Sequence, residues 1–289
     1  MNLKEVKHRI LTIRSTQKIT SAMKLVSSAK LRRTQAAIEA MRPYRDKLRG
    51  MLRFLMQDNS LQGNEYAVAR EVKRVAIIAV ASDTGLCGAF NANVSRLMNT
   101  AVDEYRKKGV DVTLYAVGSK IHNAAGKLGI EADTRLISQA GAPQYNAVAE
   151  VADGLMEQFS NGELDRVELI YTRFESMSRL VPVRETFLPL MNDDVQSDDE
   201  SYSLMDLIVE PGSDELLRVL LPKSIALHLY TSLLDSAVSE HAARMVAMQL
   251  ATDNADELIA TLTLEYNKGR QQAITSEILD IVSGSTSQT

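Results

Sequence analysis

The residues best placed to do chemistry sit in one short segment, Gly85-Leu86-Cys87-Gly88. It follows an apolar run and precedes a helical one, which is where α/β proteins put a phosphate-binding turn. The spacing is not G-x-G-x-x-G, and no G-x-x-x-x-G-K-[ST] occurs in the sequence. A tight strand-to-helix turn is the better reading. Cys87 is the single cysteine, so no intramolecular disulfide can form and a reducing, cytoplasmic setting is expected. As a nucleophile it would need a base beside it. The histidines are His8, His122, His228 and His241, and three of them fall in the terminal segments. A small buried thiol is therefore expected. No H-x-x-x-H, C-x-x-C or D-x-D-x-D spacing appears, so neither a metal nor a cofactor is expected. His241, alone on a helical seam, reads as a hydrogen-bonded core residue. The chain reads as non-catalytic.

The elements around that turn alternate. Residues 72–80 form an apolar run suited to a buried strand, and 91–108 a helix stopped by Gly109. Residues 110–117 are a strand, and 119–128 a helix stopped by Gly129. Residues 144–159 are a helix, 166–174 a strand, and 180–190 a last strand bounded by Pro189. Such alternation predicts an α/β domain with a mostly parallel sheet. Asp193-Asp194 and Asp198-Asp199-Glu200 form an acidic loop that reads as a solvated linker.

The two ends have a different period. From Asn2 to about Gln57, apolar residues fall at Leu3, Val6, Ile10 and Ile13, in steps of three and four. The stripe turns polar at Gln17 and Thr20. It resumes at Met23 and Val26, thins, and returns at Met41, Tyr44, Leu48 and Leu52. Pro43 is expected to kink this helix or mark a joint. From about Ser213 to Val282 a 3.5-residue repeat runs Leu227, Thr231, Leu234, Val238, His241, Met245, Met248, Thr252, Ala255, Ile259, Leu262, Tyr266, Gly269, Ala273. Pro211 and Pro222 stand near its start, where proline is tolerated. Helices of this length, roughly 80 Å and more at 1.5 Å per residue, are too long for one face of a compact domain. Neither buries its stripe alone, so an antiparallel coiled coil of the two is expected. The domains predicted are an N-terminal helix at 1–57, an α/β domain at 70–205 and a C-terminal helix at 206–289.

Charge is unevenly spread. Residues 1–53 carry 14 Lys and Arg against three acids, or +11; residues 54–212 come to -10 and residues 213–289 to -5. A basic first helix suits an acidic partner surface, or nucleic acid. Against nucleic acid, its cations surround the helix on all faces and no aromatic residues interleave to stack bases. Lys4, Glu5, Lys7 and Arg9 interrupt any leader-like apolar run, and no stretch of ~18 apolar residues exists to span a membrane. From the residues alone, an interaction or mechanical protein is indicated.

Three stretches carry a resemblance. The first contains Thr16-Gln17-Lys18-Ile19-Thr20 and Met23; the second is Ser82-Asp83-Thr84-Gly85-Leu86-Cys87-Gly88 through Asn91. The third is Glu240-His241-Ala242-Ala243-Arg244-Met245, then Tyr266-Asn267-Lys268-Gly269-Arg270-Gln271, Thr275, Glu277 and Ile278. Together they resemble the γ subunits of bacterial F-type ATP synthases, in order and over essentially the whole chain. The resemblance implies an antiparallel coiled coil flanking a Rossmann-like domain. It implies a rotor shaft inside a hexamer of three α and three β subunits, with a foot resting with ε on the c-ring. That ring lies in the inner membrane of the cell, so a peripheral place at its cytoplasmic face is implied. Lys18, Met23, Arg244, Gln271, Thr275 and Glu277 match positions that contact β and couple rotation to catalysis. Lys18, Lys24 and Lys30 would suit an acidic lever of β. Glu210-Pro211 matches a short foot motif, and Arg32, Arg33, Arg42 and Glu210 are the candidate foot contacts to ε and the c-ring. Thr84 stands where many members carry Arg or Lys, and Gly269 where Ala is usual. The alternative kept open is a basic coiled-coil nucleic-acid-binding or scaffold protein.

Overall fold

The computed structural model describes residues 3–56, 64–190, 210 and 212–286. The acidic loop at 193–200, Pro211 and the expected 205/206 boundary lie outside the described residues. The elements run α1 (Leu3–Met56), β1 (Arg74–Val80), α2 (Phe90–Lys107), β2 (Asp111–Val117), α3 (Ser119–Lys127), β3 (Ala132–Asp133), α4 (Tyr145–Ser160), β4 (Arg166–Ser176), β5 (Arg179–Leu188) and α5 (Ser213–Thr286). They form two compact units whose bounds fall inside the long helices. One holds residues 1–28 and 244–289, the other residues 29–243.

The larger unit is built on a five-stranded sheet of order β3-β2-β1-β4-β5. β1 pairs parallel with β2 and β4, β2 pairs parallel with β3, and β5 closes the edge antiparallel to β4. β1 is central, and every residue from Val75 to Val80 is buried. That is why its sequence is a continuous apolar run rather than an alternating one. Its side chains still divide by period two. Val75, Ile77 and Ala79 pack with residues of α2 and α3, including Val94, Met98 and Ile121. Ala76, Ile78 and Val80 pack with α4 residues Val148, Leu155 and Phe159, with Leu48 and Leu52 of α1, and with Leu221 and Ile225 of α5. The parallel strands are thus covered on both faces.

Two polar devices fix this unit. Glu168 of β4 is 4% exposed. Its carboxylate accepts from Tyr105 Oη at 2.5 Å and from Arg184 Nε at 2.7 Å, while Arg184 Nη1 donates to Glu104 at 2.6 Å. Burial opposes the Arg184 charge, but the two carboxylates outweigh it and hold the guanidinium firmly protonated. The second device is at Gly118, which has φ +88; a Cβ there would lie 2.3 Å from the Ala81 carbonyl oxygen. Only glycine permits that close approach.

Both long helices run on through their prolines. α1 continues through Pro43 and α5 through Pro222, which stands well past its first turn. The core row of α1 differs from the stripe read from apolar residues alone. Val26 is 55% and Tyr44 52% exposed. The buried or half-buried row is Leu3, Val6, Ile10, Ile13, Gln17, Thr20, Lys24 and Ser27 in one unit, and Leu31, Thr34, Ile38, Met41, Arg45, Leu48, Leu52 and Leu55 in the other. The steps of three and four hold throughout; what varies is polarity. In α5 the expected seam is buried or half-buried from Leu227 to Gly269, and Ala273 is exposed.

Candidate coupling surface

In the smaller unit, α1 and α5 are joined across their seam by three side-chain hydrogen bonds. Gln17 Nε2 donates to Asp256 Oδ1 at 2.5 Å, the Thr20 and Thr252 hydroxyls meet at 2.8 Å, and Lys24 Nζ donates to Gln249 Oε1 at 2.8 Å. As the α1 numbers rise, the α5 numbers fall, so the pair is antiparallel. Both threonine hydroxyls also contact their own helix, at the Gln17 and Met248 carbonyls. Apolar contacts flank this polar layer, with Val6 and Ile10 buried on α1 and Met248 and Ala255 on α5. Polar residues at seam positions cost stability and specify register.

The expected contact residues divide by exposure. Lys18 is exposed on α1 and Met23 half-buried. Arg244 is 7% exposed. Gln271, Thr275 and Glu277 lie in a stretch of α5 in which every side chain from Arg270 to Leu279 is exposed. There the Thr275 hydroxyl donates to the Gln271 carbonyl at 2.9 Å. Lys24 is half-buried and committed to Gln249, whereas Lys18 and Lys30 point outward. In the larger unit Arg32, Arg33 and Arg42 are exposed on α1, and Glu210 is exposed ahead of α5.

A surface that seam periodicity does not register lies along one edge of the seam. Lys24, Leu25, Ser28, Met245, Val246, Gln249 and Leu250 line a mostly apolar groove of about 330 Å³. Leu25 is 65% and Leu250 58% exposed. Of the eighteen exposed large hydrophobic residues described, eleven fall in this unit: Leu11, Ile19, Leu25, Val26, Val246, Leu250, Leu258, Leu264, Ile274, Ile278 and Leu279. Such density on so few residues marks a surface meant to be covered. The sequence signal was present, as apolar residues standing off the heptad.

The turn after β1 is held by its own side chains. Ser82 Oγ and Ser82 N both donate to Asn91 Oδ1, at 2.9 and 3.0 Å, and Asn91 Nδ2 donates to Cys87 Sγ at 3.1 Å. Asp83 Oδ1 accepts from Ser119 N and Ser119 Oγ at the start of α3. Cys87 is 2% exposed, and the side chains on its sulfur, Ser82 and Asn91, are neutral. Leu86 has φ +62 and is 63% exposed at the turn's tip. The motif residues therefore build a rigid turn. Among the described residues no group of three or more His, Cys, Asp or Glu side chains could hold a metal ion, and no helix is long and apolar enough to cross a membrane.

Comparison with known proteins places this architecture. A family model described as ATP synthase matches residues 2–287. The ATP synthase gamma chain of Phocaeicola vulgatus is 48% identical, over 98% of this chain and 99% of its own length. That of Bacteroides thetaiotaomicron is also 48% identical, with the same coverage. That of Flavobacterium psychrophilum is 44% identical, over 98% of this chain and 97% of its own. Among solved structures, a chain of the Euglena gracilis mitochondrial ATP synthase superposes with TM-score 0.63 at 17% identity, over 99% of this chain and 94% of that one. A chain of the Tetrahymena thermophila central stalk and c-ring superposes with TM-score 0.59 at 22% identity, over 81% and 99%. At those identities the likeness is one of fold. The alternative of a nucleic-acid-binding coil finds no support among these relatives. By its whole length, and by relatives nearly half identical to it, the chain belongs to the family of ATP synthase gamma chains.

Proposed function

We propose that this chain is the central rotor shaft of an F-type ATP synthase. It couples ion translocation through the membrane sector to ATP synthesis or hydrolysis on an α3β3 hexamer, and does no chemistry itself. Family membership supports the reading. The observation that carries it is the coiled-coil unit, whose exposed apolar residues demand a surrounding partner. The hexamer would supply that partner, and ε and the c-ring would hold the foot. Attachment to the cytoplasmic face of the inner membrane would then run through partner subunits.

The mechanism follows from asymmetry. A ligand or partner shifts an equilibrium only by its differential affinity for the two states. Around this coil the faces differ: a groove lined by Leu25, Val246 and Leu250, and a cation at Lys18. Each turn of the shaft would offer these faces in succession to three β subunits and bias each between open, loose and tight states. Lys18 and Met23 would meet β directly, and Gln271, Thr275 and Glu277 would do so near the end of α5. Arg244 is too buried for a broad contact and would act by placing α5. Arg32, Arg33, Arg42 and Glu210 would serve the foot.

The test is reconstitution. Purified chain is mixed with α and β subunits of the same synthase and ATP hydrolysis is assayed. A stable complex with stimulated hydrolysis is expected; no assembly and no stimulation would overturn the reading.

A further inference from the structure

The β4–β5 hairpin reaches past β1. The pairing of β1 with β4 stops at Ile170, whereas β4 and β5 stay paired out to Ser176 and Arg179. Among the described residues, Tyr171 to Ser176 therefore have a strand neighbour on one side alone. Tyr171 and Thr172 are nonetheless 4% and 3% exposed. The hairpin is attached to α5 at three points. His228 Nε2 lies 3.0 Å from Glu185 Oε1, and its ring packs 5.7 Å from that of Phe187. Arg173 Nη2 donates to the other Glu185 oxygen at 3.1 Å and so steadies the carboxylate that His228 meets. The Tyr171 hydroxyl interacts with the Ser232 side chain. Ser239 Oγ donates to the Thr172 carbonyl at 3.0 Å, and both residues are buried.

At about 100° per residue, positions 228, 232 and 239 fall within ~40° of one another around the helix. The hairpin thus holds one face of α5 along roughly 16 Å of its length. Every residue from Ser236 to Ala242 is buried, so the helix is covered on all sides over almost two turns. Apolar contacts are non-directional and let packed surfaces slide, whereas hydrogen bonds weaken steeply off their preferred angles. Turning α5 about its own axis would strain all three attachments together.

We propose that the β4–β5 hairpin is a clamp that locks α5 against rotation about its own axis, so that torque passes between the α/β unit and the coil through His228, Ser232 and Ser239. The helix is continuous from Ser213 to Thr286 and leaves the larger unit at Ala243, one turn past the last attachment. The inference rests on the reading of the chain as a rotor shaft. The three are positioning residues that act through α5.

The test uses the full chain in an α3β3 complex fixed to a surface, with a probe on exposed Lys108 of the α/β unit. The angular spread of the probe is recorded in complexes stalled without ATP, for wild type and for His228→Ala/Ser239→Ala. Loss of two of the three attachments should widen the variance about twofold. Asp165→Asn, which loosens the same unit at the far end of β4, should leave the spread unchanged. A double variant no wider than wild type, or an equal widening in Asp165→Asn, would overturn the clamp. Should the double variant not assemble, Ser239→Ala alone decides by the same comparison. Wild-type complexes that hydrolyse ATP with a stationary probe would instead overturn the shaft reading, and the clamp with it.

Discussion

Replacing the threonine pair at the centre of the polar layer tests how the coil is specified. Thr20 is 8% exposed and its hydroxyl meets that of Thr252 at 2.8 Å. Thr20→Val removes one hydrogen bond across the seam, about 1 kcal/mol net. It does not strand the partner, because the Thr252 hydroxyl still reaches the Met248 carbonyl at 2.8 Å. The added methyl returns up to about 0.8 kcal/mol if it is buried. Each single variant should therefore be neutral or destabilised by less than about 1 kcal/mol. In Thr20→Val/Thr252→Val the same bond is lost once and two methyls are gained. The double variant should be more stable than wild type by about 0.5–1 kcal/mol, with a favourable coupling of about 1 kcal/mol between the sites. Urea unfolding of the full chain, followed by helical circular dichroism, measures the cycle. A double variant that loses the sum of both singles would refute the reasoning. It would mean that the hydroxyls supply strength rather than register.

Three other outcomes follow from the same geometry. Arg184→Met leaves Glu168 buried with Tyr105 as its closest remaining donor and should cost about 3–5 kcal/mol, while Glu168→Leu/Arg184→Met should recover most of that loss in thermal unfolding. Asp165 accepts from the backbone N–H groups of Lys73 and Arg74, both at 2.9 Å, and these hold its carboxyl below the usual value although burial opposes them. Its stabilisation is therefore present above about pH 4 and is lost on acidification; Asp165→Asn should weaken the chain by about 1 kcal/mol at pH 7 and flatten the acid limb of a stability–pH profile. Met23→Lys would place a new cation at a half-buried position of α1, and in the assembled synthase it should lower proton pumping per ATP without abolishing hydrolysis. Unchanged pumping would contradict that expectation.

The α/β unit was legible because burial on both faces writes long apolar runs and glycine marks the helix ends. β1, β2, β4, α2, α3 and α4 all lie within a few residues of where the sequence puts them. β3 has two residues and leaves no periodic signal. The core row of α1 was harder. Lys24, Ser27, Thr34 and Arg45 occupy seam positions, and periodicity counted on apolar residues skips them. Val26 and Tyr44 are apolar or aromatic but stand one position off the row, on the outer surface. The groove at Leu25, Val246 and Leu250 was passed over because the count followed the heptad and these exposed residues stand off it.

The central claim is that this chain turns while the hexamer around it does chemistry. An α3β3 hexamer carrying this chain is fixed to a surface, and a probe is attached at exposed Lys108, just past the end of α2. ATP is then added and the probe is followed. Unidirectional rotation in three equal steps per turn is the predicted result. ATP hydrolysis by the same complexes with the probe stationary would contradict it.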